Sequence, residues 1–410
     1  MPPLRFCMIT TFYPPYNFGG DGIFVHHLAN ALAQRGHRVE VIHCRDAYRL
    51  LARQEPAMPY ADHPNVTVHG LESPCGLLSP LATHQTGYPL FKAARIREIL
   101  RPGFDVIHYH NISLFGPNIL TYGQGLKLYT FHEYWLVCPT HTLFRFHRAP
   151  CTRPHCFACS LTYKRPPQWW RYTGLLPRGL KQVQAFIAPS RFCKDLHHQR
   201  GLDVPMVHLP HFVPAADVAP SLSSPPGQAG PVPFYFLYVG RLEKLKGVQT
   251  LIPLFRHYRK AQLWIAGTGS YEAQLRHLTA GDPNIRFLGY RTDQDLQRLY
   301  RQAIAVLVPS LCLEIFPLVL LEAFRQHTPA IVRDLGGMPE ILLESGGGCR
   351  YHTEQELITA LDHMVADPSY RHQLGLRGYQ GYHQYWTADV HLQRYLTLIR
   401  TLAGTHGRGP

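Results

Sequence analysis

With 410 residues, 45% hydrophobic and 17% charged, the chain has the composition of a well-cored globular protein and room for two domains. No apolar run approaches the length of a membrane-spanning helix, so no transmembrane helix is expected. The net charge of +14 is uneven: residues 1–212 hold 22 Lys and Arg against 11 Asp and Glu, the remainder 19 against 16. A basic first half either solvates one surface or meets a negative partner such as a phosphorylated acceptor, an anionic membrane or nucleic acid.

The opening segment MPPLRFCMITTFYPP reaches Pro14 and Pro15 too early for a signal peptide and is expected to be a buried first strand over 5–12. GIFVHHLANALAQRG (22–36) has apolar residues near helical spacing and a glycine stop, so an amphipathic helix is predicted. Strands are predicted over 38–43, 105–110, 127–131 and 185–190. This alternation implies a doubly wound parallel sheet.

Cys138, Cys151, Cys156 and Cys159 fall as C-x12-C-x4-C-x2-C. Four thiols closing on a CxxC suit tetrahedral zinc, with His141, His147 and His155 as substitute ligands, and a metal would staple a loop that has little core of its own. Four reduced thiols packed in a loop are the alternative. The other cysteines, such as Cys7, Cys44 and Cys312, stand beside apolar residues and read as buried thiols of a cytoplasmic protein. LTYKRPPQWWRYTGLLPRGLK (161–181) mixes Trp169, Trp170 and Tyr172 with cations. It fits either a core helix with basic flanks or peripheral contact with an anionic membrane or a lipid-linked acceptor.

Prolines accumulate between 205 and 233, so an interdomain linker is expected over 213–233. A second αβ series follows, with strands over 234–240, 261–267, 284–289, 303–310 and 329–332 and a helix over 271–278. The end, 386–402, reads as one amphipathic helix with Thr387 as N-cap, followed by a disordered tail. The expected domains are therefore 1–212, 234–385 and a closing helix 386–402.

The segment PSLCLEIFPLVLLEAF (309–324) sets Glu314 and Glu322 on either side of Pro317. Pro317 suits the first turn of a helix, Glu314 the loop before it, and Glu322 a position about a turn and a half inside. Free amides and the helix dipole favour an anion at that terminus, and the carboxylates suit sugar and ribose hydroxyls. Spacing alone equally allows a cap and a solvated helix face. Arg241 and Lys246, in VGRLEKLKG, add two cations that can neutralise a diphosphate without a metal. Gly267 and Gly269, in AGTGS, mark a strand end where backbone can approach a ligand. Asp293-Gln294-Asp295 follows Thr292 and opens a helix, so capping explains it better than metal binding.

VGRLEKLKG, AGTGS, EIFPLVLLE and GGMPE, in this order over 234–345, resemble the C-terminal domain of the GT-B glycosyltransferases of family 4, the glycosyl transferases group 1 type. TTFYPPYNFGGDGIFVHHLANALAQRGHRVEVI, DVIHYHN and TFHEYWLVCP are similar to the family's N-terminal segments. The resemblance implies two Rossmann-like domains with parallel sheets facing across a cleft, and retaining transfer from a nucleotide-diphosphate sugar to a glycan, lipid-linked or other glycoconjugate acceptor. It implies that Arg241 and Lys246 bind the diphosphate, Glu314 the transferred sugar and Glu322 the ribose. Phe316, Pro317 and Leu318 would lie beside the donor, Gly19 and Gly20 near the phosphates, and His132 against the donor sugar. The family's frequent glycine after the first glutamate is absent here, where Ile315-Phe316-Pro317 stands. No catalytic cofactor and no nucleic acid partner are expected. The rival functions are a GT-B nucleotide-sugar epimerase and, in another class, a zinc-bearing nucleic-acid-binding protein.

Overall fold

The computed structural model describes residues 2–52, 55–56, 60–215 and 234–406, with the side chains of 405 and 406 excepted. Most of the expected Pro-rich linker, from 216 to 233, and the last four residues of the tail lie outside the described residues. The chain divides into two compact units, Met1–His211 with Ala388–Pro410, and Phe212–Thr387.

In the first unit the strands are β1 (Arg5–Ile9), β2 (Arg38–Cys44), β3 (Val66–Leu71), β4 (Val106–Tyr109), β5 (Leu126–Thr130), β6 (Phe144–Arg145), β7 (Ala149–Pro150), β8 (Ala185–Ala188) and β9 (Met206–His208). Seven of them form a parallel sheet in the order β3-β2-β1-β4-β5-β8-β9, while β6 and β7 make a small antiparallel hairpin. The central strands are apolar on both faces: Phe6, Cys7, Met8 and Ile9 are all fully buried, as a strand covered by helices on both sides requires. The helix Gly20–Gln34 follows β1 and buries Phe24, Val25, Leu28 and Leu32.

The closing helix, Ala388–His406, packs into this unit. Tyr395 Oη bonds His108 Nδ1 at 2.8 Å, His391 Nδ1 meets the Pro210 carbonyl at 2.7 Å, and Arg35 pairs with Asp389.

The second unit contains β10 (Tyr235–Val239), β11 (Gln262–Ala266), β12 (Ile285–Gly289), β13 (Val306–Val308), β14 (Ala330–Arg333) and β15 (Gly348–Tyr351). These form one parallel sheet in the order β12-β11-β10-β13-β14-β15. Its core gathers Phe236, Leu263, Ile265, Leu307 and Ile331 with helix residues such as Leu251, Phe255 and Leu361.

The helix Leu318–Arg325 fully buries Leu320, Leu321 and Phe324. Each of these contributes about 2 kcal/mol of apolar burial, enough to seat a short helix that would not form alone. Gly378 lets the helix Pro368–Tyr385 approach it, because a Cβ there would lie 2.6 Å from the Phe324 ring.

Candidate functional site

In a doubly wound sheet, ligands bind beyond the carboxyl ends of the strands where the strand order reverses. In the second unit that reversal falls between β10 and β13. The loop after β10 carries Arg241 and Lys246, the loop after β13 carries Glu314, and the helix Leu318–Arg325 carries Glu322. The expected residues are thus brought to one edge of one sheet.

Lys246 Nζ donates to Glu314 Oε1 at 2.7 Å, and the same oxygen accepts from Ser310 Oγ at 2.5 Å. Burial alone would push the Glu314 carboxyl up, but the Lys246 charge and the two hydrogen bonds outweigh it and hold the group below the usual carboxylate range. Burial likewise works against the Lys246 ammonium, and Glu314 raises it in net. The site therefore contains a standing ion pair at neutral pH. Arg241 is exposed and pairs with Glu243 at 2.8 Å, so its guanidinium can turn to a ligand at little cost.

Glu322 is differently placed. Its Oε2 accepts from the buried Tyr300 hydroxyl at 2.7 Å. Burial raises its carboxyl above the usual range, and Tyr300 and Arg325 only partly offset this. Arg325 is itself held by the Pro214 carbonyl at 2.8 Å and by Asp293 at 3.4 Å. A desolvated carboxylate with one oxygen engaged is suited to accept from a vicinal diol.

One expectation needs correction. Pro317 does not sit in the first turn: it is the N-cap, extended at φ −74° and ψ 112°, and the helix begins at Leu318. Its ring cannot donate, which costs nothing at either position. The side chains of Phe316 and Leu318 are buried, Phe316 edge-on to Trp386 at 6.4 Å, so segment 316–318 has its backbone to offer a ligand. Gly267 and Gly269 lie where backbone meets backbone. A Cβ on Gly267 would lie 2.0 Å from the Gly240 carbonyl and one on Gly269 2.4 Å from the Leu242 carbonyl. Their smallness lets the loop after β11 lie backbone to backbone against the loop that carries Arg241, joined by Leu242 N–H to the Thr268 carbonyl at 2.9 Å.

Two positioning glycines had no assigned role. Gly336, at φ +69°, would place a Cβ 2.7 Å from the Glu314 amide nitrogen, and Gly337 N–H donates to the Glu314 carbonyl at 2.7 Å. The GG pair of GGMPE is thus the clamp that sets the Glu314 backbone. Gly247, at φ +81°, does the same for the other half of the ion pair. A Cβ there would lie 2.0 Å from the Pro309 carbonyl, and Leu311 N–H bonds the Leu245 carbonyl at 2.9 Å. The signal was present as glycine runs. Their partners are distant in sequence and invisible without a fold.

In the first unit the order reverses between β1 and β4. Gly19 caps the helix Gly20–Gln34 in extended conformation and Gly20 opens it. Asp21, in the first turn, accepts from Asn111 Nδ2 at 3.0 Å. His132 follows β5, with its Nε2 3.0 Å from His110 Nδ1 and its ring stacked on His211 at 4.9 Å. Burial pushes its pKa down to about 4 despite the nearby Asp21, so the ring is neutral at physiological pH. Burial drives His108 and His110 well below the usual histidine range, helped for His108 by His132 and His391 and for His110 by His108 and His132.

The Asp293–Asp295 pair behaves as a cap: Thr292 Oγ1 accepts from Asp295 N–H, Asp293 accepts from Gln297 at 2.8 Å, and Arg298 binds Asp295. In the Cys loop all four thiols are free. Cys138 and Cys159 are buried, Cys151 is half-buried and Cys156 exposed. Cys159 Sγ accepts from Phe146 N–H at 3.5 Å, and His141 is paired with Glu133 at 2.6 Å. Among the described residues no three Cys, His, Asp or Glu side chains are grouped to hold a metal ion.

The comparisons with known proteins agree with this geometry. The model of Glycosyltransferase Family 4 matches residues 18–217 and that of Glycosyl transferases group 1 matches 227–381. A glycogen synthase of Mycobacterium tuberculosis is 26% identical over 400 residues, covering 89% of this chain and 87% of that protein. A D-inositol 3-phosphate glycosyltransferase of Pseudarthrobacter chlorophenolicus is 26% identical over 386 residues, covering 87% and 84%.

Among solved structures, sucrose-phosphate synthase of Thermosynechococcus elongatus superposes with a TM-score of 0.75 at 19% identity, covering 98% of this chain and all (100%) of that one. The Anabaena protein HepE, solved with UDP, gives 0.65 at 17% identity over 97% and 100%. The two parallel-sheet units have the GT-B fold, and the chain is a glycosyltransferase that belongs to family 4, the glycosyl transferases group 1.

Proposed function

We propose that this glycosyltransferase moves a sugar, with retention of anomeric configuration, from a nucleoside-diphosphate sugar to a hydroxyl of a glycan, lipid-linked or other glycoconjugate acceptor. The observation that carries the donor half is the set gathered beyond β10 and β13: an exposed Arg241, the Lys246–Glu314 ion pair, the helix start at Leu318 and the desolvated Glu322. Arg241 and the helix N-terminus supply fixed positive potential where charge develops on the departing diphosphate. Lys246, already oriented by Glu314, is placed to share its remaining donors with a phosphate oxygen. Glu314 keeps acceptor capacity for sugar hydroxyls, and Glu322 is the ribose acceptor.

In the first unit, neutral His132 is assigned to orienting the transferred sugar by hydrogen bonding and Gly19 and Gly20 to amide contact with phosphate, roles for which the family resemblance speaks. UDP is the first nucleotide to try, because HepE was solved with UDP and with UDP-glucose. No step calls for a metal; the structural zinc remains a separate proposal. One zinc per chain in purified protein, lost in Cys156→Ser, would support it; no bound metal in either would end it.

The test is transfer itself. Each nucleotide sugar is incubated with the protein and a panel of glycan and glycolipid acceptors, and the product is read by proton NMR. An anomer matching the donor's supports the reading. An inverted anomer refutes retention, and donor consumption that is indifferent to every acceptor, with a sugar epimer as product, makes the protein an epimerase.

A further inference from the structure

The surface of the first unit that the donor chemistry leaves unused has an unusual composition. Between Glu133 and Asp195 the sequence has ten Lys and Arg and no Asp or Glu. Between Glu72 and Glu98 there are three cations, again with no acid. These same two stretches hold most of the first unit's exposed large apolar side chains.

The fold joins the two stretches into one surface. The helix Leu78–Thr86 touches both the 3-10 turn Leu90–Lys92 and the 3-10 turn Trp169–Tyr172. Trp170 is the rivet. It is buried, its Nε1 donates to the His84 carbonyl at 3.0 Å, and Gly87, at φ +76°, must be glycine because a Cβ would lie 2.9 Å from the indole. Arg171 lies over the same indole at 4.5 Å and donates to the Leu136 carbonyl at 3.2 Å.

Around this fixed point the neighbours face outward. Trp169 is 57% exposed and Tyr172 68%, with Phe157 6.4 Å from Trp169 and Leu161 exposed on the same short helix, Cys156–Thr162. Leu77, Leu78, Leu81, Leu90 and Phe91 stand exposed on the first stretch, Leu78 at 65%. The exposed cations Lys164, Arg178 and Lys181 border the aromatic group in sequence. A core helix with basic flanks, one of the two readings of 161–181, is not what forms. The segment is a 3-10 turn and a short helix, Leu175–Leu180, that turn one tryptophan in and one out.

We infer that this face docks on the surface of an anionic lipid bilayer, with Trp169, Tyr172 and Phe157 at headgroup depth and Lys164, Arg178 and Lys181 against lipid phosphates. The polar-tipped rings of Trp169 and Tyr172 favour that depth, Phe157 adds apolar surface beside them, and each cation near the surface adds attraction that salt screens. Two other occupants fit less well. A second copy meeting this face isologously would press two acid-free basic surfaces together. A nucleic acid would accept the cations and the rings but leave the five exposed leucines with no apolar partner. The inference stands apart from the donor reading, since it uses none of the same residues.

The test is sedimentation of the full chain with vesicles of phosphatidylcholine alone and of phosphatidylcholine mixed with phosphatidylglycerol, at low and high salt. The wild type should pellet with the mixed vesicles and be released by salt. Trp169→Ser with Tyr172→Ser, and separately Lys164→Gln with Arg178→Gln and Lys181→Gln, should each weaken partitioning by at least about tenfold. All five residues are exposed, so the fold should be kept; circular dichroism and unchanged nucleotide binding check this. Trp169→Phe should remove the vesicle-induced blue shift of tryptophan emission. Equal sedimentation with and without phosphatidylglycerol, partitioning of the variants like wild type, or self-association that the Trp169 and Tyr172 substitutions abolish would each overturn the proposal.

Discussion

Glu322→Gln should stabilise the ligand-free protein while weakening its hold on the donor. The carboxyl is raised by burial, so its ionised form at neutral pH is carried at a cost that the folded state bears and the unfolded state does not. Glutamine keeps the shape, and its oxygen can still accept from Tyr300, whose hydroxyl lies 2.7 Å from the Glu322 carboxylate. Arg325 loses some attraction but keeps the Pro214 carbonyl and Asp293. The melting midpoint should therefore rise, by about 2–4 °C for each kcal/mol gained in a unit of this size.

The pH dependence follows from the sign. A carboxyl whose folded pKa lies above its unfolded value destabilises once ionised, so the advantage of glutamine should be full above the folded pKa and vanish as acid protonates Glu322 in the wild type. A hydrogen bond from a ribose hydroxyl to a charged acceptor contributes about 1.5–3 kcal/mol, so nucleotide affinity should fall roughly 10- to 150-fold. Melting curves across pH and calorimetric titration with the nucleotide read both halves. A variant that melts lower at pH 7 and binds nucleotide as tightly as wild type would refute the reasoning.

Glu314→Gln leaves Lys246 without its counter-charge. It should destabilise by about 1–3 kcal/mol and lower turnover by about 100- to 1,000-fold, with a smaller effect on nucleoside diphosphate binding; unimpaired rates would contradict the assignment. Gly336→Ala must push against the Glu314 backbone and adopt a left-handed conformation, so it should cost at least about 1–2 kcal/mol of stability and lower turnover even where the protein is still fully folded; parallel rate and melting data decide.

The first unit should be acid-sensitive. His43, His132, His197 and His391 have folded pKa values pushed by burial to about 3, 4, 4 and 4, below the unfolded value. Each therefore contributes stability that is complete above the unfolded pKa near about 6.5 and is lost as pH falls through the window down to the folded pKa. Unfolding midpoints unchanged between pH 7 and pH 5 would contradict this. The same shift means that no limb of the rate profile near pH 6–7 should belong to His132.

Much of this protein could be read from periodicity and motif. The central strands were legible because they are apolar on both faces; the observed β1 and β10 are simply shorter than the apolar runs that predicted them. Three of the four edge strands, β3, β9 and β15, escaped because their half-solvated sequences lack an apolar run, whereas the edge strand β12 was predicted over 284–289. Thr67 and Val68 are exposed, and β15 opens on a glycine.

Glu314, Glu322, Arg241 and Lys246 stood out by order and spacing, but not the fact that Lys246 already holds Glu314. That pairing spans 68 positions and depends on Gly247 and Gly336, whose need for glycine appears only when another loop's backbone lies beside them. The histidine cluster was hidden for the same reason: only His132 was marked by its motif, while His108, His110, His211 and His391 meet it through folding.

In the proposed function, Arg241, Lys246 and Glu322 hold a nucleoside-diphosphate sugar. Calorimetric titration of the full chain with UDP, GDP, ADP and their sugar conjugates tests it most directly. One nucleotide should bind in preference to the others, and Arg241→Ala, Lys246→Ala and Glu322→Ala should each weaken it at least about tenfold. Binding of none of them, or binding that all three variants leave unchanged, would contradict the account.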